Sequence, residues 1–318
     1  MNQAEGTKQR SELIKALQDK GVVIALVILV LALSIASPQF RTLDNILSLL
    51  RQSSINGLIA FGMTCVILTG GIDLSVGSVL ALTAAFAASM IKSGLPAPLA
   101  MLIGLVIGGL FGLFSGVLVT KGRLQPFIAT LISMTVFRGL TMVFTDGRPI
   151  SGLGDSGLIK FIGKGYVFVV PFPAILFLVL FAVFSFVLGK TTFGRRVYAT
   201  GSNALSAKLA GVNIDKTKIC VYVISGVMSA LAGLILISRL NSAQPTLGEG
   251  YELDAIASVA LGGTSMNGGR GRIWGTFIGV LIIAVLSNGL NILGISSYYQ
   301  SVVKGIVILI AVLSDRKR

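Results

Sequence analysis

The chain has 318 residues, of which 54% are hydrophobic and only 12% charged, and its mean hydropathy is +0.90. Water-soluble domains carry about 25% charged residues, so this composition excludes a soluble fold, and the absence of His removes the usual general base and the commonest metal ligand. The net charge of +14 would suggest nucleic acid only if it were clustered on a folded polar domain; here the basic residues separate apolar runs, so they read as topology and no nucleic-acid partner is expected.

A helix needs about 20 mainly apolar residues to cross a bilayer. Residues 1–21 form a basic tail, and residues 22–314 hold the apolar runs. These are Gly21 to Phe40, Gln52 to Ile72, Leu74 to Ile91, Ser93 to Thr120, Leu124 past Arg138 to Thr145, Gly165 to Gly189, Ile219 to Ser238 and Ala255 to Gly269. The last run, Ile273 past Lys304 to Ser314, is too long for one crossing and is split at the polar stretch Asn288 to Gln300. Residues 315–318 are a second basic tail. The expectation is an all-α polytopic membrane protein of about ten helices, with Ala255 to Gly269 short, Gly-rich and of re-entrant character. The eight Pro lie at or near segment ends, as their missing N–H requires. The first run lacks a small-residue cleavage site and leads to Pro38 and another span, so a retained helix is expected rather than a signal peptide. With the N-terminus inside, 17 of the 26 basic residues face the cytoplasm and 7 the opposite side, which predicts cytoplasmic termini. Cys65 and Cys220 sit inside apolar runs without ligand spacing, predicting neither a disulfide framework nor a metal site.

Between the second and third runs, Thr69-Gly-Gly-Ile-Asp-Leu-Ser-Val-Gly-Ser78 places Asp73 at membrane depth, where a carboxylate must be paired, cap a helix or meet water. It reads either as a cap for the third helix or as part of a cytoplasmic gate or solute path. In the fourth run Gly104, Gly108, Gly112 and Gly116 leave a smooth stripe for close helix packing, within the bundle or at a sliding or subunit interface. Arg138 is expected to snorkel outward or to pair with an acidic residue across the bundle. The inside loop, residues 190–218, contains a short helix-like stretch from Ser202 to Gly211. Ser202 or Asn203 can cap its start, Gly211 can end it, and Leu205 and Leu209 share one face that can dock into another protein or lie on lipid headgroups. A weak echo relates Gly71 to Ser75 with Gly250 to Asp254, and Lys121-Gly-Arg123 with Arg270-Gly-Arg272, as two related halves would. No G-x-x-x-x-G-K-[ST] sequence occurs, so energy must come from another chain.

These segments are similar to the permease subunits of bacterial monosaccharide ABC importers. The resemblance is carried by Gly62 through Ser78, Ser242-Ala-Gln-Pro-Thr246, Gly250 to Ala257, Leu261-Gly-Gly-Thr-Ser265, Gly268 to Arg272, Gly289 to Gly294 and Ser297-Tyr-Tyr-Gln300. It extends from about Val22 to the end, nearest to the ribose permeases. The resemblance implies an inner-membrane subunit working as a homodimer, with a periplasmic or lipid-anchored sugar-binding protein outside and a fused two-domain ATPase inside. ATP and Mg are then used by that ATPase, and this chain binds no cofactor and is no enzyme. It also implies that Gly201, Asn203, Ala207 and Gly211 lie in the loop that couples permease to ATPase. Residues that can handle sugar hydroxyls along the passage are Asn56, Thr64, Asn288 and Asn291, each equally able to bond another helix. Other cargo (xylose, galactose or a signalling sugar) is the nearest alternative. A proton-coupled carrier would need several buried ionisable groups in a relay, a passive channel would need no partner, and an enzyme would need paired catalytic groups that the sequence does not bring together.

Overall fold

The computed structural model describes residues 21–154 and 156–315; the two expected tails therefore fall outside the described residues except at their edges. The ten expected crossings correspond to α1 (Gly21–Ala36), α2 (Leu43–Leu68), α3 (Val76–Lys92), α4 (Ala97–Thr120), α5 (Pro126–Thr145), α7 (Phe172–Lys190), α10 (Ile214–Leu240), α11 (Tyr251–Leu261), α12 (Ile273–Ile292) and α13 (Ser297–Asp315). Between them lie α6 (Gly157–Lys164), α8 (Thr192–Ser202), α9 (Ala204–Leu209) and two short antiparallel ladders. One ladder joins β1 (Ile150–Ser151) to β4 (Ser242–Ala243), the other β2 (Tyr166–Val167) to β3 (Val170–Pro171). Five helices (α4, α5, α7, α10 and α12) are both long and apolar enough to span a membrane by themselves, and α1, α3 and the stretch Ser297–Ile310 of α13 are shorter apolar helices. The protein is thus a helical, multi-pass membrane protein.

Several boundaries differ from those set by charge-free runs. The second helix starts at Leu43, where the Thr42 hydroxyl accepts the Asn45 N–H, because Arg51 is accommodated on the helix by Tyr166. The Arg51 guanidinium donates to the Tyr166 hydroxyl and lies 4.7 Å from the ring centroid. The fourth begins at Ala97 rather than Ser93, since Gly94 (φ +91°) and Pro96 turn the chain first. The sixth begins at Phe172, after the β2–β3 hairpin. The seventh begins earlier, at Ile214, where Asn213 caps the Lys216 N–H at 2.9 Å. The break expected over Asn288 to Gln300 is confined to the turn around Gly294 (φ +73°).

α2 is the centre of the bundle: every residue from Ser53 to Leu68 is buried. A helix shielded from lipid on all sides can carry polar side chains, and Ser53, Ser54, Asn56 and Thr64 are accordingly part of its buried surface. The second organising contact is between α4 and α10, which run antiparallel along the glycine stripe. Gly104 faces Leu234, Gly108 faces Gly226 and Ala230, Gly112 faces the Tyr222 carbonyl, and Gly116 faces Ile219. A Cβ on Gly112 would overlap the Tyr222 carbonyl oxygen, so the backbones approach as closely as helices can. The stripe is buried inside the chain, which assigns it to the packing of this bundle.

Replacing Gly112 by Leu is therefore expected to be severe. Overpacking costs about 1–3 kcal/mol where neighbours can yield, and here the neighbour is backbone. The expected outcome is loss of most of the monodisperse protein on size exclusion in detergent; wild-type yield and melting temperature would refute the role.

Candidate functional site

Lipid supplies no partners for bare backbone groups, so interruptions of a membrane helix must be satisfied by the protein. The first interruption follows α2. Gly70 adopts φ +75°, and the chain crosses Gly71 to Ser75 before α3 begins. The Ile72 carbonyl accepts from the Tyr222 hydroxyl at 3.1 Å and from the Thr130 hydroxyl at 3.3 Å. Asp73 is 1% exposed and fully engaged. Its Oδ1 accepts the Ser75 N–H (3.0 Å) and hydroxyl (2.6 Å), and its Oδ2 accepts the Ser225 hydroxyl (2.7 Å). The carboxylate therefore bonds the residue before α3 rather than the first free N–H groups of the helix, and ties the interruption to α10.

The second interruption precedes α11. The chain leaves α10 at Asn241 (φ +55°), forms β4 and then runs inward through Pro245, Leu247 and Gly248. At Gly248 it meets the start of α3 so closely that a Cβ on Gly77 would overlap the Gly248 carbonyl. α11 has 11 residues, about 16 Å at 1.5 Å per residue, or half a bilayer. The stretch expected at Ala255 to Gly269 is thus a half-helix displaced toward Tyr251, starting inside the bundle. The Gly71–Ser75 and Gly250–Asp254 segments that echo each other in sequence flank the starts of two helices that touch.

Among the described residues Arg138 forms no direct bond to an acid and turns instead to the loop ahead of α11. Its Nη1 donates to the Pro245 carbonyl (2.7 Å) and the Leu247 carbonyl (3.0 Å), holding the descending loop. Glu249 and Glu252 lie beside it, and a cavity of about 340 Å³ opens between α3, α5 and the start of α11. One turn into α11, Asp254 forms an ion pair with Lys304 of α13 at 2.9 Å, with both side chains largely buried. The bundle interior therefore holds more charge than the charge-poor spans suggested, but Asp73, Arg138 and the Asp254–Lys304 pair each end on the partners that build the interruptions.

The four proposed hydroxyl-handling residues do not converge. Thr64 bonds the Ala60 carbonyl (2.7 Å) and meets the Thr276 hydroxyl of α12 at 2.8 Å. Asn288 exchanges two side-chain hydrogen bonds with Asn45 (3.1 and 2.8 Å). Asn291 is exposed near the end of α12. Asn56 is buried, with Oδ1 unpartnered among the described residues. Residues that sequence reasoning passed over, namely Ser78, Thr135, Glu249 and Glu252, line the cavity instead. Ser78 closes the Thr69 to Ser78 segment singled out in the sequence and Glu252 lies in the echo at Gly250 to Asp254, whereas Thr135 and Glu249 carried no signal.

The stretch expected as one helix from Ser202 to Gly211 is the end of α8 followed by α9. Asn203 interrupts the two and caps α9 by accepting the Ser206 N–H at 2.9 Å, whereas Ser202 belongs to α8. Gly211 (φ +82°) closes α9 as a left-handed glycine. Ala207 is buried, while Leu205 and Leu209 are 70% and 82% exposed on one face. Gly201 sits where a Cβ would overlap the Leu68 carbonyl, and the same carbonyl accepts the Gly269 N–H at 2.9 Å. The Tyr198 hydroxyl donates to the Gly271 carbonyl at 2.9 Å. The α8–α9 elbow thus rests on the end of α2 and on the turn between α11 and α12.

The family model described as branched-chain amino acid transport system / permease component matches residues 45–312. The chain is 56% identical to the ribose import permease protein RbsC of Bacillus subtilis (strain 168), over 99% of this chain and 98% of the relative. It is 49% identical to RbsC of Escherichia coli (strain K12), over 95% of each chain. The D-allose transport system permease protein AlsC of the same strain is 40% identical, over 93% of this chain and 91% of the relative. No solved structure matches the chain.

Breaking the Asp254–Lys304 pair from one side leaves a buried charge uncompensated, which costs about 3–5 kcal/mol, whereas replacing both partners by apolar groups is often neutral. Lys304→Met alone is expected to lower the melting temperature in detergent well below that of the double variant Asp254→Leu/Lys304→Met. Equal melting temperatures would show that the pair carries no coupling.

Proposed function

The chain belongs to the family of branched-chain amino acid transport system permease components, and we propose that within it the protein is the membrane-spanning permease of an ATP-driven importer that brings ribose into the cytoplasm. The observation that carries this reading is the near-full-length similarity to ribose import permeases, stronger than that to the allose permease. The family description itself names amino-acid cargo, so the relatives, rather than the family, select the sugar.

The bundle has the parts such a role needs. Two half-interrupted elements meet inside it, as in carriers that bind cargo between broken helices. An elbow projects at the end where Leu68, Gly201 and Gly269 meet, and the collection of basic residues on that side supports a cytoplasmic location for this end and for both termini. The exposed Leu205 and Leu209 then form the docking face for a cytoplasmic ATPase, which uses ATP and Mg, while this chain supplies the passage. A sugar-binding protein delivers ribose at the opposite end, and a second copy of the chain completes the conduit. Closure of the ATPase pushes the elbow, and because Gly201 abuts Leu68, the push arrives at the first interruption.

The test is reconstitution in vesicles with the ATPase and the sugar-binding protein. ATP-dependent uptake of labelled ribose is expected; uptake driven by a pH gradient alone, or equilibration by this chain alone, would overturn the assignment. Exchanging Leu205 and Leu209 together for Ser is expected to abolish co-purification of the ATPase while leaving the melting temperature of the permease close to that of the unaltered chain. Retained co-purification would reject the docking face.

A further inference from the structure

The cavity between α3, α5 and the start of α11 has no assigned role, and its lining is chemically specific. Ser78 is 1% exposed and its Oγ lacks a hydrogen-bond partner among the described residues, although it borders the cavity. Burying an unsatisfied hydroxyl is unfavourable, and a rotation of the Ser78 side chain that turns its enclosed Oγ to the adjoining cavity would let a partner from outside the fold complete the bonding. Around it stand Thr135, which can still accept through its hydroxyl, Arg138, whose Nη1 alone is engaged by loop carbonyls, and the carboxylates of Glu249 and Glu252. A guanidinium carries five N–H donors, and carboxylates only accept. The set therefore offers donors and acceptors together, which matches the alternating hydroxyls of a polyol.

We propose that this cavity is a transient binding site for a neutral polyol part-way through the bundle, a reading that rests on the ribose-import function above and names where the sugar is held. The exposed Glu249 side chain accepts from the hydroxyls of an uncharged sugar and meets a phosphorylated or carboxylated one with like charge. The volume of about 340 Å³ lies at the lower end of the roughly 300–1,000 Å³ range of small-molecule sites, suiting one small sugar. The opening cannot face hydrocarbon, because Glu249 is exposed there and a carboxylate at membrane depth is costly. It therefore faces a water-filled passage. Thr135 lies near the middle of α5, so the site sits well inside the crossing. Transport also requires that the hold be weak enough to release, and a few hydroxyl contacts on a half-open cavity satisfy that.

The experiment uses the complete reconstituted importer. Thr135→Cys, made in a Cys220→Ser background because Cys220 is only half-buried, introduces a thiol of nearly the same size, and the Cys220→Ser chain, whose remaining Cys65 is buried, serves as the blank. A charged thiol reagent attacks only a thiol that water reaches. Rapid labelling of the introduced thiol that ribose slows several-fold during turnover is expected, as is a fall in ATP-driven ribose uptake of about tenfold in Glu249→Gln, the loss of a charge-assisted hydrogen bond. ATPase co-purification reports that each variant is assembled, and Ser78→Ala, expected to lower uptake about two- to threefold through the loss of a neutral hydrogen bond, decides the matter if Glu249→Gln fails to assemble. Absence of labelling places Thr135 in lipid and overturns the site whether or not the importer moves ribose. Wild-type uptake in assembled variants overturns it while leaving the import function standing. Failure of the unmodified importer to move ribose, with labelling intact, strikes the function and the identity of the polyol instead.

Discussion

Everything distinctive about this bundle follows from the rule that a chain in hydrocarbon must satisfy its own backbone. Uninterrupted helices meet the rule automatically, and most of the crossings do so. The two places where the chain leaves helical geometry inside the bundle each need outside help, and the fold supplies it with side chains from neighbouring helices. Tyr222 and Thr130 hold the Ile72 carbonyl, Ser225 holds Asp73, and Arg138 holds the Pro245 and Leu247 carbonyls. Because the interruptions also abut each other at Gly77 and Gly248, they form one irregular zone, and irregular backbone at membrane depth is tolerated where it lines a cavity.

The order and spacing of the apolar helices were legible in the amino-acid sequence, because a helix that crosses a bilayer alone must announce itself by about 20 apolar residues, as five of these do. The glycine stripe of α4 was legible for a similar reason: only residues without side chains permit the approach of α10. What was illegible was depth and partnership. A window free of charge placed the start of α2 at Gln52 instead of Leu43, since Arg51 costs little once Tyr166 receives it. The same window read Tyr251 to Leu261 as part of a later, longer segment, because Glu252 and Asp254 count against a crossing until Lys304 and the start of α3 are known to lie beside them.

The candidate site shows the same division. Asp73 stood out as a carboxylate with no room for a loop, and it does sit at an interruption. The polar residues chosen for hydroxyl chemistry were singled out by type alone, and type does not distinguish Thr64 or Asn288, whose bonds are spent on other helices, from Ser78, whose bond is not. The resemblance to sugar permeases supplied the function without the site, since it is carried by the glycines and turns that shape the interruptions more than by groups that meet cargo.

A consequence for mechanism concerns how motion at the elbow can reach a cavity deep in the bundle. The contacts at Gly201 and at Gly269 with Leu68 are backbone to backbone, and such contacts transmit displacement because neither side can yield by a rotamer change. α2 is buried without a break from Ser53 to its end at Leu68, so a push on that end cannot be dissipated into lipid. Under the proposed coupling such a push would reach Gly70 and the turn toward Asp73, whose Oδ2 bond to Ser225 ties that turn to α10. α3 starts directly after that turn and carries both Gly77, against the descending loop, and Ser78, at the cavity. A displacement of α3 along its axis would therefore alter the cavity and the packing of both interruptions together, and would load the backbone contact between Gly233 of α10 and the Leu80 carbonyl of α3.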